Sequence, residues 1–149
     1  MQPLSNLYQD ILLEHYRHPR NRGRIANPHA YAELRNPLCG DRVELTLTFD
    51  AEGRVNDARF TGEGCSIAKA SASMLTEAVR GCTRSDAREL HRRVMALLTP
   101  KEGANGSGDT NHDLGDVRAL AGVAPFPGRI RCARMPWDAL MQAIGGNHS

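Results

Sequence analysis

Residues 43–49 alternate strictly, with Val43, Leu45, Leu47 and Phe49 at apolar places and Glu44, Thr46 and Thr48 between them. Successive strand side chains point to opposite faces, so this run predicts a half-buried strand. The turn sequence Asp50-Ala51-Glu52-Gly53 follows it, and Val55 to Thr61 reads as the returning strand of a hairpin. Tyr31 to Arg35 reads as a third strand. So small a sheet needs helices to cover its apolar face.

The rest of the chain supplies them. Leu4, Leu7, Tyr8, Ile11, Leu12 and His15 recur at helical spacing, which predicts a helix capped at Ser5 or Asn6 and ending near His18-Pro19. A second helix is expected over Ser66 to Arg80, with Ile67, Ala70, Met74, Leu75 and Ala78 on its apolar side. A third covers Ser85 to Leu98, where Ser85 and Asp86 can cap. Thr99 to Asp113 is a polar, glycine-rich loop expected to be flexible, and Leu114 to Ala121 reads as a short helix. An irregular run then leads to Cys132, with a final helix from Met135 to Ile144. The expected fold is a single α+β domain over residues 1–149, a small antiparallel sheet covered by helices, with 99–113 as an insertion loop.

Charge and composition narrow the function classes. A net charge of +2 with only 5% aromatics gives no nucleic-acid surface. No apolar run approaches the roughly 20 residues that span a bilayer. The first 23 residues carry acids inside their apolar stretch and no small-residue cleavage site, so they do not read as a secretory signal. The expected compartment is the cytoplasm, where cysteines serve as ligands or reactive thiols more often than as disulfides.

Three of the cysteines fall where elements are expected to begin or end. Cys39 lies in the turn "NPLCGDR" before the hairpin, Cys65 opens the second helix, and Cys132 stands just before the last one. A helix N-terminus favours anions, so Cys65 and Cys132 are expected to ionise readily. With Asp41 as an oxygen donor, three thiolates suit tetrahedral zinc. Such a shell carries a net charge of about −2, and Arg42, Arg129, Arg131 and Arg134 flank the donors. Spacing alone leaves the alternative open: three unrelated buried thiols, and an aspartate that serves its turn.

Three motifs in order, "NPLCGD", "FTGEGCSIAKASASMLTE" and "FPGRIRCARMPWDAL", together with the opening "LYQDILLEHYRHPRNRG", resemble the U-type iron–sulfur scaffold family. The resemblance implies that Cys39, Asp41, Cys65 and Cys132 hold zinc or a nascent cluster. It also matches Arg129 to a family arginine that can stabilise the thiolate or a docked partner. The IscU branch places histidine before the third cysteine, after a proline-rich chaperone motif; here Arg131 precedes Cys132 and the motif is missing. Both departures, and the long segment before the third motif, resemble the SufU branch.

That branch implies a zinc-dependent sulfurtransferase working with a SufS-type cysteine desulfurase and downstream iron–sulfur assembly proteins. In the implied mechanism a desulfurase histidine displaces Cys39 from zinc, and Cys39 takes the persulfide sulfur while Asp41 keeps the metal bound. The alternatives are a scaffold holding a transient [2Fe–2S] cluster, and a structural zinc module that only binds a partner.

Other residues carry blander readings. Cys82 follows Gly81, matches no motif and reads as a bystander. His15, His18, His29 and His112 read as surface or packing residues. The Gly62-x-Gly64 pair is followed by Ile67, which breaks the dinucleotide fingerprint, so these glycines read as a tight turn beside the metal. The basic run from Arg17 to Arg24 reads as solvated surface, with docking of an acidic partner as the second reading.

Overall fold

The computed structural model describes residues 3–37, 40–99 and 104–145, with side chains over 7–37, 40–99 and 114–145. Helix α1 spans Pro3–Arg17, strands β1, β2 and β3 span Ala30–Asn36, Asp41–Phe49 and Val55–Glu63, and α2 spans Ser66–Ala78. Helix α3 covers Arg84–Leu98, a 3-10 segment covers Ala104–Val123, and α4 covers Pro127–Gly145. The sheet is antiparallel in the order β1-β2-β3. The expected α+β architecture is the observed one.

Alternation sets the apolar face. Ala30, Ala32, Val43, Leu45, Leu47, Ala58 and Phe60 are buried, and most of them join the helices in one core. Helix α2 buries the small residues Ala68, Ala70, Ser71, Ala72 and Ser73 together with Met74 and Leu75. Its hydroxyls find partners. Ser71 Oγ donates to the Ala133 carbonyl at 2.6 Å and accepts from Trp137 Nε1 at 3.0 Å. Among the described residues, every buried side-chain nitrogen and oxygen is hydrogen-bonded.

The opposite face of β2 departs from the expected half-buried strand. Glu44 and Thr46 are 4% and 2% exposed, because the chain between α1 and β1 lies over them. Ile25 N donates to Thr46 Oγ1 at 3.1 Å, and Arg24 holds both carboxylate oxygens of Glu44, with Nε to Oε1 at 3.1 Å. The same strap bonds along β3: Gly23 N donates to the Phe60 carbonyl at 2.8 Å, and Phe60 N to that of Asn21 at 3.1 Å. Arg20 pairs with Glu14 at 3.3 Å. Part of the charge read as a solvated patch is therefore used inside the chain.

Three helix starts differ from expectation. Helix α1 begins at Pro3, ahead of Ser5 and Asn6; proline suits a first turn because its missing N–H is not needed there. Helix α3 is capped by Thr83, not by Ser85 or Asp86: Thr83 Oγ1 accepts from Asp86 N at 3.0 Å, and Asp86 Oδ2 accepts from Thr83 N at 3.2 Å. Helix α4 begins at Pro127, eight residues before Met135, and continues past Pro136. The expected loop over 99–113 falls partly outside the described residues, as does the His112 side chain. From Ala104 the backbone forms 3-10 turns that break at Gly115, where φ is 61°, and Leu114, Val117 and Leu120 are buried. No helix among the described residues is long and apolar enough to cross a membrane.

Candidate metal centre

Three elements meet at one end of the sheet. Asp41 opens β2; Arg42 pairs with Glu63 at the end of β3, which brings Gly64 and Cys65 beside Asp41. Cys65 is the N-cap of α2, extended at φ −67° and ψ 144°, and its Sγ accepts from Ile67 N at 3.3 Å. Cys132 comes from α4. One donor atom from each of Asp41, Cys65 and Cys132 lies within 4.8 Å of the other two. Asp41 Oδ1 accepts from Cys65 N at 3.0 Å, and Cys132 Sγ stands 3.3 Å from Oδ2. Asp41 and Cys132 are buried, and Cys65 is half-buried.

Contrary to expectation, Cys132 does not stand before the last helix but inside α4, five residues beyond Pro127. It therefore lacks the easy ionisation of a helix start. Burial, followed by hydrogen bonding and charge from Cys65 and Asp41, pushes its thiol up to about 12. A shared cation reverses that direction, since a coordinating thiol is deprotonated outright. Thiol sulfurs around a four-coordinate ion sit roughly 3.8 Å apart, given metal–sulfur bonds near 2.3 Å. The donor types and their closeness therefore fit a borderline divalent ion such as zinc.

Of the four arginines flanking the donors, Arg129 reaches a sulfur: its Nη1 donates to Cys65 Sγ at 3.4 Å. It sits three residues before Cys132, on the same side of α4. Arg42 turns to Glu33 at 3.2 Å, and Arg134 to Asp138 at 2.9 Å. Arg131 is exposed beside Arg35 and Pro37. Helical periodicity explains the split, because positions one and two removed from Cys132 point elsewhere. Cys39, expected as the fourth donor, lies outside the described residues.

Cys82 is distant in role, with its Sγ 3.6 Å from the Ala78 carbonyl and its thiol pushed up by burial and then by Asp86. His29 Nδ1 accepts from Phe49 N at 2.8 Å. His15 is fully buried, with Nδ1 2.7 Å from Ser73 Oγ and Nε2 2.8 Å from Asp116 Oδ2. Glu77 stands beside that pair. No local pattern marks Ser73 and Asp116 as partners of His15, because they come from elements remote in the chain.

Residues 7–133 match the model of the NifU-like N terminal domain. The chain belongs to that family. It is 41% identical to the zinc-dependent sulfurtransferase SufU of Bacillus subtilis (strain 168) over 148 residues, covering 97% of this chain and 96% of the relative. It is 37% identical to the iron–sulfur cluster assembly scaffold protein IscU of Streptococcus pyogenes serotype M1, covering 95% and 84%. A solved structure from Fervidobacterium islandicum AW-1, described as a scaffold protein for the SUF system, aligns with a TM-score of 0.79 at 28% identity, covering 91% of this chain and 94% of that one. The U-type resemblance is thus a family membership, within the scaffold family of iron–sulfur cluster assembly.

Proposed function

We propose that this chain is a zinc-dependent sulfurtransferase that accepts persulfide sulfur on Cys39 from a SufS-type cysteine desulfurase and passes it towards iron–sulfur assembly. The observation that carries this reading is the convergence of Asp41, Cys65 and Cys132 within 4.8 Å. The near full-length match to a protein named as a zinc-dependent sulfurtransferase supports it.

Asp41, Cys65 and Cys132 would hold the zinc with Cys39. Zinc supplies positive charge that keeps the thiols deprotonated at neutral pH. The chain's residues do the rest. Cys65 is fixed as a helix cap and Cys132 within a helix, whereas Cys39 belongs to the turn sequence before β2. Cys39 is therefore the thiolate to be released. It attacks the outer sulfur of the desulfurase persulfide and forms a new S–S bond. The persulfide's own S–S bond breaks, and the desulfurase cysteine leaves as a thiolate. No outside oxidant enters. Arg129 stabilises negative charge at Cys65 during the exchange.

The test is metal and activity together. Protein purified without added metal or chelator should carry zinc, without iron or acid-labile sulfide. It should stimulate a SufS-type desulfurase; Cys39→Ser should abolish that stimulation and Cys82→Ser should leave it intact. Equal loss from both variants would sink the assignment. A second reading, a [2Fe–2S] scaffold on the same donors, draws on the relative named as a scaffold. It requires iron with matching sulfide after anaerobic reconstitution.

A further inference from the structure

A carboxylate free to rotate offers a metal either oxygen, or both. Around Asp41 that freedom is removed on two sides. Cys65 N–H donates to Oδ1 at 3.0 Å, and Oδ2 stands 3.3 Å from Cys132 Sγ. Behind the carboxylate stands Gly64, with φ at +114°. A Cβ there would overlap Asp41 Oδ1 outright and lie 2.8 Å from its Cγ and 2.9 Å from its Cα. Contact this close is closed to every residue that has a side chain. Gly53 makes the contrast: φ is +80°, yet a Cβ there would meet nothing within 4 Å.

We propose that Gly64 is a positioning residue that sets Asp41 as a one-oxygen ligand. By leaving room beside the carboxylate, it lets Oδ1 stay on the Cys65 amide while Oδ2 turns to Cys132 Sγ. This rests on the metal reading above. A single carboxylate oxygen completes a four-coordinate, sulfur-rich shell, whereas hard cations need many oxygens and find one. A side chain at position 64 drives the carboxylate off the amide, so the larger part of the loss is the contribution of Asp41. The approach to the Asp41 Cα and the positive φ add a cost that does not depend on the carboxylate.

A double-mutant cycle on the full chain tests this, with zinc affinity read by chelator competition. Gly64→Ala should weaken zinc binding roughly 10- to 100-fold, the scale of losing an orienting partner. In an Asp41→Ala background the overlapped Oδ1 and Cγ are gone while the approach to the Cα and the positive φ remain. The same change should therefore cost several-fold less than it does in the wild-type chain. Gly53→Ala should leave zinc affinity within about threefold of wild type. The cobalt(II) absorption spectrum of Gly64→Ala should resemble that of Asp41→Ala.

Equal losses in both backgrounds, or none in either, overturn the proposal. If Gly64→Ala fails to fold, recovery of folding in the double variant supports the proposal and continued failure overturns it. A wild-type chain that binds no zinc sinks the metal reading instead. The cycle is then read on the melting temperature of the metal-free protein, where non-additivity upholds the Gly64–Asp41 contact and additivity overturns it.

Discussion

Helix α2 carries two polar clusters of opposite construction. At its N-terminus Cys65 meets Asp41 and Cys132, where burial and then Cys65 and Asp41 push the Cys132 thiol up. Two turns along, Ser73 meets His15 and Asp116, where each group has a complement. His15 Nε2 stands against the Asp116 carboxylate and Nδ1 against Ser73 Oγ, and that hydroxyl oxygen also accepts from Arg20 N at 2.9 Å. Both clusters join three elements of the fold. The second is complete from protein groups alone and acts as a fastening. The first becomes favourable when a cation joins it, which is how a binding site differs from a structural network.

That contrast can be broken most forcefully at the metal. Chelation should lower unfolding free energy by about 4 kcal/mol relative to protein held at free zinc a thousandfold above its dissociation constant. Urea titrations with and without chelator measure it, and coincident curves would make the two clusters alike. At the other cluster, His15→Ala should cost about 2–4 kcal/mol, because it opens a cavity and strips Ser73 and Asp116 of a partner. Its zinc content should stay at the wild-type level. Lost zinc in that variant would mean that the clusters are coupled along α2.

The Arg24–Glu44 pair under the strap offers a finer comparison, since it is also self-satisfied but titrates. Hydrogen bonds from Arg24 hold the Glu44 carboxyl below the usual carboxylate range; burial opposes this, and Thr61 and Tyr31 add to it. A depressed folded pKa stabilises the protein fully above the unfolded value and is lost as pH falls through the folded one. Glu44→Gln should therefore cost about 1–3 kcal/mol at neutral pH, and the gap to wild type should close progressively below pH 4.5. A gap that is constant with pH would assign the effect to packing. Smallest of all, Cys82→Ser should change stability by less than about 1 kcal/mol and zinc affinity not at all.

The hairpin was legible because β2 alternates and "DAEG" marks its turn, and α2 because its apolar residues keep helical spacing. The start of α4 was hidden by Pro127 and Gly128, residues that read as loop; yet Ile130, Ala133, Trp137 and Leu140 already carry the helical stripe. The burial of Glu44 and Thr46 had no local signal, because the strap that covers them is aperiodic and its bonds are made across the chain. At the centre, the motifs pointed to Asp41, Cys65 and Cys132, which the fold brings together. Which arginine reaches a sulfur depended on the phase of α4, and that phase was set by the hidden helix start.

The strap from Asn21 to Gly23 has one more consequence, for how the chain behaves in a crowd. By bonding to Phe60 it occupies the backbone edge of β3, where an unfinished sheet would otherwise pair with another chain. Among the described residues the other edge is β1, seven residues long, with Glu33 and Arg35 on its open side. Short, charged edges discourage end-on stacking. The protein should therefore stay monodisperse in light scattering when chelator is added, a condition in which loosened molecules are most apt to clump.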